Sequence, residues 1–140
     1  MALNQGYNAI LVWDTDHVLQ VKADITMDVS RGRIDVTVHG GASLPFRVFE
    51  SGLFDPIEIT VPILFDYALP ETAEMAAKMI CGTNTRLEFK DAAGTSNAHI
   101  DGNAKVMKIA ASGRMENEMQ INSVTFLYSG TPTTLYGETI

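Results

Sequence analysis

The sequence predicts an α+β fold: mainly an antiparallel β-sandwich or barrel, with one flanking α-helix and a long inter-strand assembly arm. Three observations carry that prediction. Residues 18–29 and 54–67 alternate apolar and polar side chains with the period of two of a half-buried strand. One stretch, 69–82, has the period and the end signals of a helix. Residues 40–53 mix Gly, Pro and Ser with large apolar side chains, a combination that a solvated loop does not need.

Residues 1–17 read as an N-terminal arm, in which "NAILVW" is apolar without alternation. In the first alternating stretch Leu19, Val21, Ala23, Ile25, Met27 and Val29 share one face; Gln20, Lys22, Asp24, Thr26 and Asp28 share the other. "SRG" at 30–32 is a turn signal, and Ile34–His39 is the expected hairpin partner, with Ile34, Val36 and Val38 facing a core. "GGASLPFRVFESGL" (40–53) follows as the arm, carrying Leu44, Phe46, Val48, Phe49 and Leu53. In the next strand Ile57, Ile59, Val61, Ile63 and Phe65 face inward, and Pro62, which has no N–H, marks an edge or a bulge. The helix has Pro70 in its first turn, Glu71 and Glu74 near its positive end, Lys78 near its negative end and Gly82 as a stop. Its apolar stripe is read as Ala73, Ala76, Ala77 and Ile80, with Met79 beside it. "TRLEFKD", "AHIDGNAKVMKIAAS" (bulged at Gly102) and "MQINSVTFLYSG" are three further strands, and residues 131–140 form a C-terminal tail. The 140 residues suit a single domain.

Charge and composition exclude several functions. The net charge is −7, and ten basic residues are scattered without a cluster, so the chain is not built to grip nucleic acid. A single cysteine, Cys81, excludes an intrachain disulfide and reads as a buried small hydrophobe. The N-terminus has no basic residue ahead of its short apolar run, unlike a signal peptide, and no stretch approaches the ~20 apolar residues of a membrane helix. A cytosolic product, or a component of a particle assembled in the cytosol, is expected.

Candidate chemistry is thin. "WDTDH" offers Asp14, Asp16 and His17 as metal ligands but lacks the glycine and distal Glu of a calcium loop, and reads as an acidic turn. His17, His39, His99 and Cys81 have no zinc spacing. There is neither a serine elbow nor a phosphate-cradling glycine loop. The pair Glu71/Glu74 suits a helix dipole, Glu116/Glu118 a turn, and Asp24/Asp28 the polar face of a strand. Trp13, Phe46, Phe49 and Phe54 lack the interleaved basic residues of a base-stacking platform, so core or subunit contact is the better reading. No enzyme, cofactor or metal is expected.

The order "RIDVTVHGG", "LPFRVFESGL", "FDPIEITVPILFDY", a helix ending "MICGTNTRLEFKDAAG", then "GNAKVMKIAASGRMENEMQINSVTFLYSGTP" resembles the major tail-tube proteins of long-tailed bacteriophages over residues 18–132. Two departures stand out. "SLPFRVFESGL" is longer and more apolar than the family's tight "LPGL" element, and the first 17 residues match no part of the pattern. The resemblance implies a β-sandwich or barrel with a flanking helix. It implies six copies closing into a ring, and rings stacking into the hollow tail that conducts the genome, so the protein would reside in the virion tail after assembly in the host cytoplasm. The arm would reach a neighbouring copy, burying Leu44, Phe46, Val48, Phe49 and Leu53 there, with "HGG" as its hinge. Other tail proteins (tape-measure, terminator and distal tail proteins) would be partners, double-stranded DNA would pass without specific binding, and no membrane would be involved.

At −7 per chain a ring of six carries −42, in keeping with a wall that does not hold DNA. Alternation and acidity nominate Gln20, Asp24, Asp28, Asp35, Glu58 and Thr60 as lumen-facing. Two competing readings make different predictions. Another virion component (a head-decoration or tail-terminator protein) or a secretion-system tube protein would differ in how it polymerises. A small-molecule-binding barrel would be a stable monomer with a discrete apolar cavity.

Overall fold

The computed structural model describes residues 9–15, 17–38, 46–64, 68–91, 98–111 and 121–140. Through them the chain runs β1 (Ala9–Trp13), β2 (His17–Val18), β3 (Arg31–Asp35), β4 (Phe49–Phe54), β5 (Glu58–Leu64), α1 (Pro70–Cys81), β6 (Thr85–Asp91), β7 (Ala98–Ala110), β8 (Ile121–Tyr128), β9 (Thr134–Leu135) and β10 (Glu138–Thr139). The predicted α+β class is what is found: antiparallel strands in a curled half-barrel, with one helix.

The main sheet is a ladder β5–β8–β7–β6–β1–β2. Its lanes are set by β7, whose first half pairs with β6 and whose second half pairs with β8. The short β9 continues the lane of β8 along β7, with Ile100 opposite Leu135 and Asp101 opposite Thr134, and β10 folds back on β9. Residues 134–139, expected as tail, are therefore part of the sheet. The two ladders beside β7 shift register, between Phe89 and Lys90 and between Val106 and Lys108. The bulge expected at Gly102 is absent, and Gly102 pairs regularly with Leu87. Its lack of a side chain serves packing instead: a Cβ there would meet the Pro132 Cα at 3.0 Å.

One face of this sheet forms the core. Leu11, Trp13, Ile59, Val61, Leu87, Ile100, Val124 and Phe126 are completely buried. The Trp13 and Phe126 rings meet at 5.7 Å between centroids in a tilted pair. Trp13 is thus core, and the segment expected as an N-terminal arm contributes a buried strand from residue 9 onward. Three consecutive buried side chains at Leu11–Trp13 explain why alternation was not visible: β1 is covered on both faces. Tyr128 is buried as well, and its hydroxyl donates to the Leu87 carbonyl at 2.8 Å. Burial, then the carboxylates of Asp101 and Glu88, push its phenol pKa far up.

Helix α1 begins on Pro70, as predicted, and ends on Gly82 in the left-handed conformation (φ 69°), whose N–H donates to the Lys78 carbonyl at 2.8 Å. The buried face is Thr72 and Met75, not the alanine stripe; Ile80 is 86% exposed. The helix packs chiefly on β7, and the long flexible Met75 fills that contact better than alanines do. Cys81 is exposed, correcting its assignment to the interior.

Residues 19–29 show the predicted alternation in burial, except at Ala23, which is exposed, and without the predicted pairing. Leu19 is buried and Val21, Ile25, Met27 and Val29 pack on the core, while Gln20, Lys22, Asp24, Thr26 and Asp28 are exposed. The hairpin expected between this stretch and 34–39 does not form. The stretch touches the sheet through the Leu19 N–H, which donates to the Leu11 carbonyl, and through a bridge from Val21 to Ile63, with Lys22 N–H donating to the Pro62 carbonyl and Leu64 N–H to the Gln20 carbonyl, each at 2.9 Å. Pro62 therefore turns its donor-less nitrogen away from β8, on the outer side of β5, as an edge position requires.

Replacing Phe126 by Ala removes the centre of this core. It should lower unfolding stability by about 3–5 kcal/mol in urea or guanidinium titration, without changing the antiparallel-sheet circular dichroism of the surviving folded fraction.

Candidate functional site

The arm leaves the body at Ser30 and returns at Asp55. There the Ser30 hydroxyl donates to Asp55 Oδ2 at 2.6 Å and the Asp55 N–H donates to the Ser30 carbonyl at 2.9 Å. Between them β3 and β4 pair only with each other, in a sheet separate from the main one. Arg33 lies opposite Ser51, Ile34 opposite Glu50 and Asp35 opposite Phe49, with a register shift between Arg31 and Arg33. The two strands approach closely there, since a Cβ on Gly52 would lie 3.1 Å from the Gly32 carbonyl group. The stretch 40–53 is thus partly strand, and the turn it was expected to hinge on (His39, Gly40, Gly41), with Leu44, lies outside the described residues.

The two faces of this ribbon differ sharply. On one, the Arg31 guanidinium stands 4.7 Å from the Phe54 ring centroid and donates to the Gly52 carbonyl at 2.9 and 3.1 Å. The Arg33 guanidinium stands 5.0 Å from the Phe49 ring. Asp35 accepts from the Thr37 N–H at 3.0 Å and from Arg47 at 3.0 Å. Those Thr37 bonds, and then Arg47, hold the Asp35 carboxyl below its ordinary pKa. The Val48 N–H donates to Thr37 Oγ1 at 2.7 Å. This face is internally satisfied.

The other face carries Ile34, Val36 and Val48, with the exposed Glu50 opposite Ile34 at its root end, and the alternation continues through Val38 and Phe46 towards the tip. All five apolar side chains are exposed, Phe46 to 77% and Val38 to 69%. The sequence reading had placed Ile34, Val36 and Val38 on a core; in the single chain that face meets water. Of the predicted arm residues, Phe46 and Val48 belong to this apolar face, Phe49 sits under Arg33, and Leu53, at 90% exposure, projects at the register shift. Phe54, half-exposed, is an arginine partner and not a free platform.

The acidic residues nominated for a lumen fall in two places. Asp28, Glu58 and Thr60, with Thr26 and Pro56, line a shallow groove of about 380 Å³ between the 19–29 segment and the outer edge of β5. Gln20 and Asp24 are exposed on the same run, and Thr60 Oγ1 lies 3.1 Å from Thr125 Oγ1 on the sheet face. Asp35 lies apart, on the arm.

Sequence reasoning missed a charge network on the polar sheet face. Arg86 binds Asp101 at 2.7 and 2.9 Å and Glu88 at 2.9 Å, and Lys90 binds Glu88 at 3.0 Å. Cross-strand pairing of β6 and β7 places Glu88 opposite Asp101, a like-charge pair that Arg86 neutralises. A sequence without registers cannot show this. Near the β1–β2 turn, His17 Nδ1 lies 3.7 Å from Glu71 Oε2, and Asp16 lies outside the described residues. Among the described residues no three His, Cys, Asp or Glu side chains converge as metal ligands. Partial burial, and then the Asp14 carboxylate beside it, push the Glu74 carboxyl above its ordinary pKa.

Among the described residues the fold is a half-barrel sheet with one helix and a separate two-stranded ribbon. No family model and no curated protein matches the chain. Among solved structures, it resembles a chain in the virion of the native gene transfer agent (GTA) particle, with a TM-score of 0.74 at 11% identity over 93% of this chain and 97% of that one. A chain in the tail of the empty GTA particle, solved with C6 symmetry, gives 0.72 at 11% identity over 94% and 98%. A chain in the sheath/tube terminator of an extracellular contractile injection system, PVC, gives 0.64 at 13% identity over 93% and 95%.

The raised Glu74 pKa has a definite sign. The folded state binds this proton more tightly than the unfolded chain, so the contribution opposes folding as pH rises from about 4.5 through the raised value. Glu74→Gln should remove that falling component from a series of melting temperatures and leave the protein relatively more stable above it.

Proposed function

We propose that this chain is the structural subunit of a tail tube: six copies close a ring, and rings stack into a hollow conduit for DNA in the virion tail. The observation that carries the reading is the bare apolar face of the arm, Ile34, Val36, Val38, Phe46 and Val48. Contiguous exposed apolar surface of this kind marks an interaction site. Burying each such side chain contributes roughly 1.5–3 kcal/mol, so five of them together are comparable with the cost of association. The fold likeness to chains of GTA tails supports the same reading. Leu44 and Leu53 would join the contact, and Phe49 would support it from beneath.

A subunit of this kind performs no catalysis and needs no cofactor. The acidic run of Gln20, Asp24 and Asp28, with Glu58 and Thr60 across the groove, is assigned to the lumen; Asp35 is assigned to the arm, where Arg47 neutralises it. Tape-measure, terminator and distal tail proteins are its other partners. The likeness to PVC sheath/tube chains favours one second reading, a tube or terminator component of an injection machine. A ligand-binding barrel gains less support, because the inner side of the half-barrel is filled by Trp13, Phe126 and their neighbours.

Two experiments bear on this. Purified protein at high concentration should form hollow, six-fold tubes by electron microscopy. The double variant Val36→Ser/Phe46→Ser should remain folded, with stability within about 0.5 kcal/mol of the parent, yet stay monomeric by light scattering. Unfolding of that variant would make these residues core, and undiminished polymerisation would place the contact elsewhere. For the lumen, Asp24→Lys/Asp28→Lys should slow DNA delivery from assembled particles and make it salt-dependent; unchanged delivery would remove those residues from the wall.

A further inference from the structure

The assembly reading leaves open where the arm goes. A trough at the arm's own root offers the acceptor. It encloses about 630 Å³ and is walled by Ile57, Leu127, Pro132, Leu135 and Ile140, with Leu53 at its mouth. The two titratable side chains in its wall are already engaged: Asp55 accepts from Ser30, and the Tyr128 hydroxyl donates to the Leu87 carbonyl. What it presents is chiefly apolar surface, open to water, of a size that takes several side chains.

The same chain's arm lines this trough only with its root, Leu53 and Phe54. Val48 and Phe46 lie beyond the six residues of β4, which span about 20 Å when extended, so the far end of the apolar face is left for another occupant. Charge partition points to another copy. The arm, residues 31–54, holds three of the ten basic residues (Arg31, Arg33, Arg47) and two of the 17 acidic ones (Asp35, Glu50), excluding histidine. It is therefore +1, and the remainder of the −7 chain is −8. Between two copies the bodies repel each other, and the ribbon-to-body contact is the one whose charges are opposite in sign.

We propose that the apolar face of one copy's arm seats in this trough of a second copy, with Phe46 and Val48 against Leu127 and Leu135. The inference rests on the assembly reading and adds its acceptor. Donor and acceptor are different surfaces, so each copy gives one contact and receives one. Such a head-to-tail contact propagates from copy to copy. The arginines on the ribbon's opposite face keep their partners on the ribbon, Phe54 and Gly52 for Arg31, Phe49 for Arg33 and Asp35 for Arg47.

The test replaces Phe46 in the full-length chain with the photo-cross-linker p-benzoylphenylalanine, irradiates the concentrated protein and maps intermolecular adducts by mass spectrometry. Adducts should fall in residues 127–135, and Leu135→Glu, with circular dichroism unchanged, should lower their yield about tenfold or more. Adducts in the helix (70–81) or in 19–30, or none between chains, would overturn the proposal. Electron microscopy of the same sample separates it from the tail reading. Tubes with adducts elsewhere would sink the trough alone; trough adducts without tubes would uphold the trough and sink the tail.

Discussion

A two-stranded ribbon has two faces and no third layer, so it cannot bury both by itself. That constraint governs this molecule. The β3–β4 ribbon is tied off from the main sheet and has resolved one face locally, by stacking Arg31 and Arg33 on Phe54 and Phe49 and by closing Asp35 with Thr37 and Arg47. The pairs at its root, Ser30 with Asp55, fix the point where it leaves the body. These contacts hold the ribbon in shape without using Ile34, Val36, Val48 or Phe46. A preformed ribbon of this kind loses less entropy on docking than a flexible loop would.

The body solves the opposite problem. Its sheet is apolar on one side, and one helix is too small to cover it. Residues 19–29 complete the cover by laying Leu19, Val21, Ile25, Met27 and Val29 across the core. They do so without joining the ladder beyond Val21, which keeps the outer edge of β5 open at Glu58 and Thr60 and forms the acidic groove there. Pro62 suits this edge because its missing N–H lies on the side away from β8. The same device that closes the core therefore sets the charged surface assigned to the lumen.

The period-two signals were legible where they report burial. Ile59, Val61 and Ile63 are buried as read, and the 19–29 alternation holds in the exposure pattern except at Ala23, which is exposed. Pro70 and Gly82 marked the helix because they act locally, through a fixed φ and a left-handed cap. Pairing was not legible. Which strand lies beside which depends on contacts far apart in sequence, so the hairpin expected between 18–29 and 34–39 proved to be β3 with β4. The helix face was misread because alanines suit either a surface or a core, and only the position of β7 decides for Met75. "NAILVW" could be read as a short strand but not assigned as one, because a strand covered on both sides, as β1 is, has no alternation to show.

The misplacement of Ile34, Val36 and Val38 has a deeper cause. Alternation in a strand shows that its two faces meet different surroundings; it does not show that the apolar one belongs to the same molecule. For a monomer the two statements coincide, because an exposed apolar face is costly. They separate when the apolar face is reserved for another copy, and then sequence pattern and single-chain burial must disagree. On the ribbon the alternation leaves Ile34, Val36 and Val38 bare, whereas on β5 the same period buries Ile59, Val61 and Ile63 inside the chain. The intermolecular contact is proposed for the ribbon on that contrast, because there the pattern is kept and only the cover is missing.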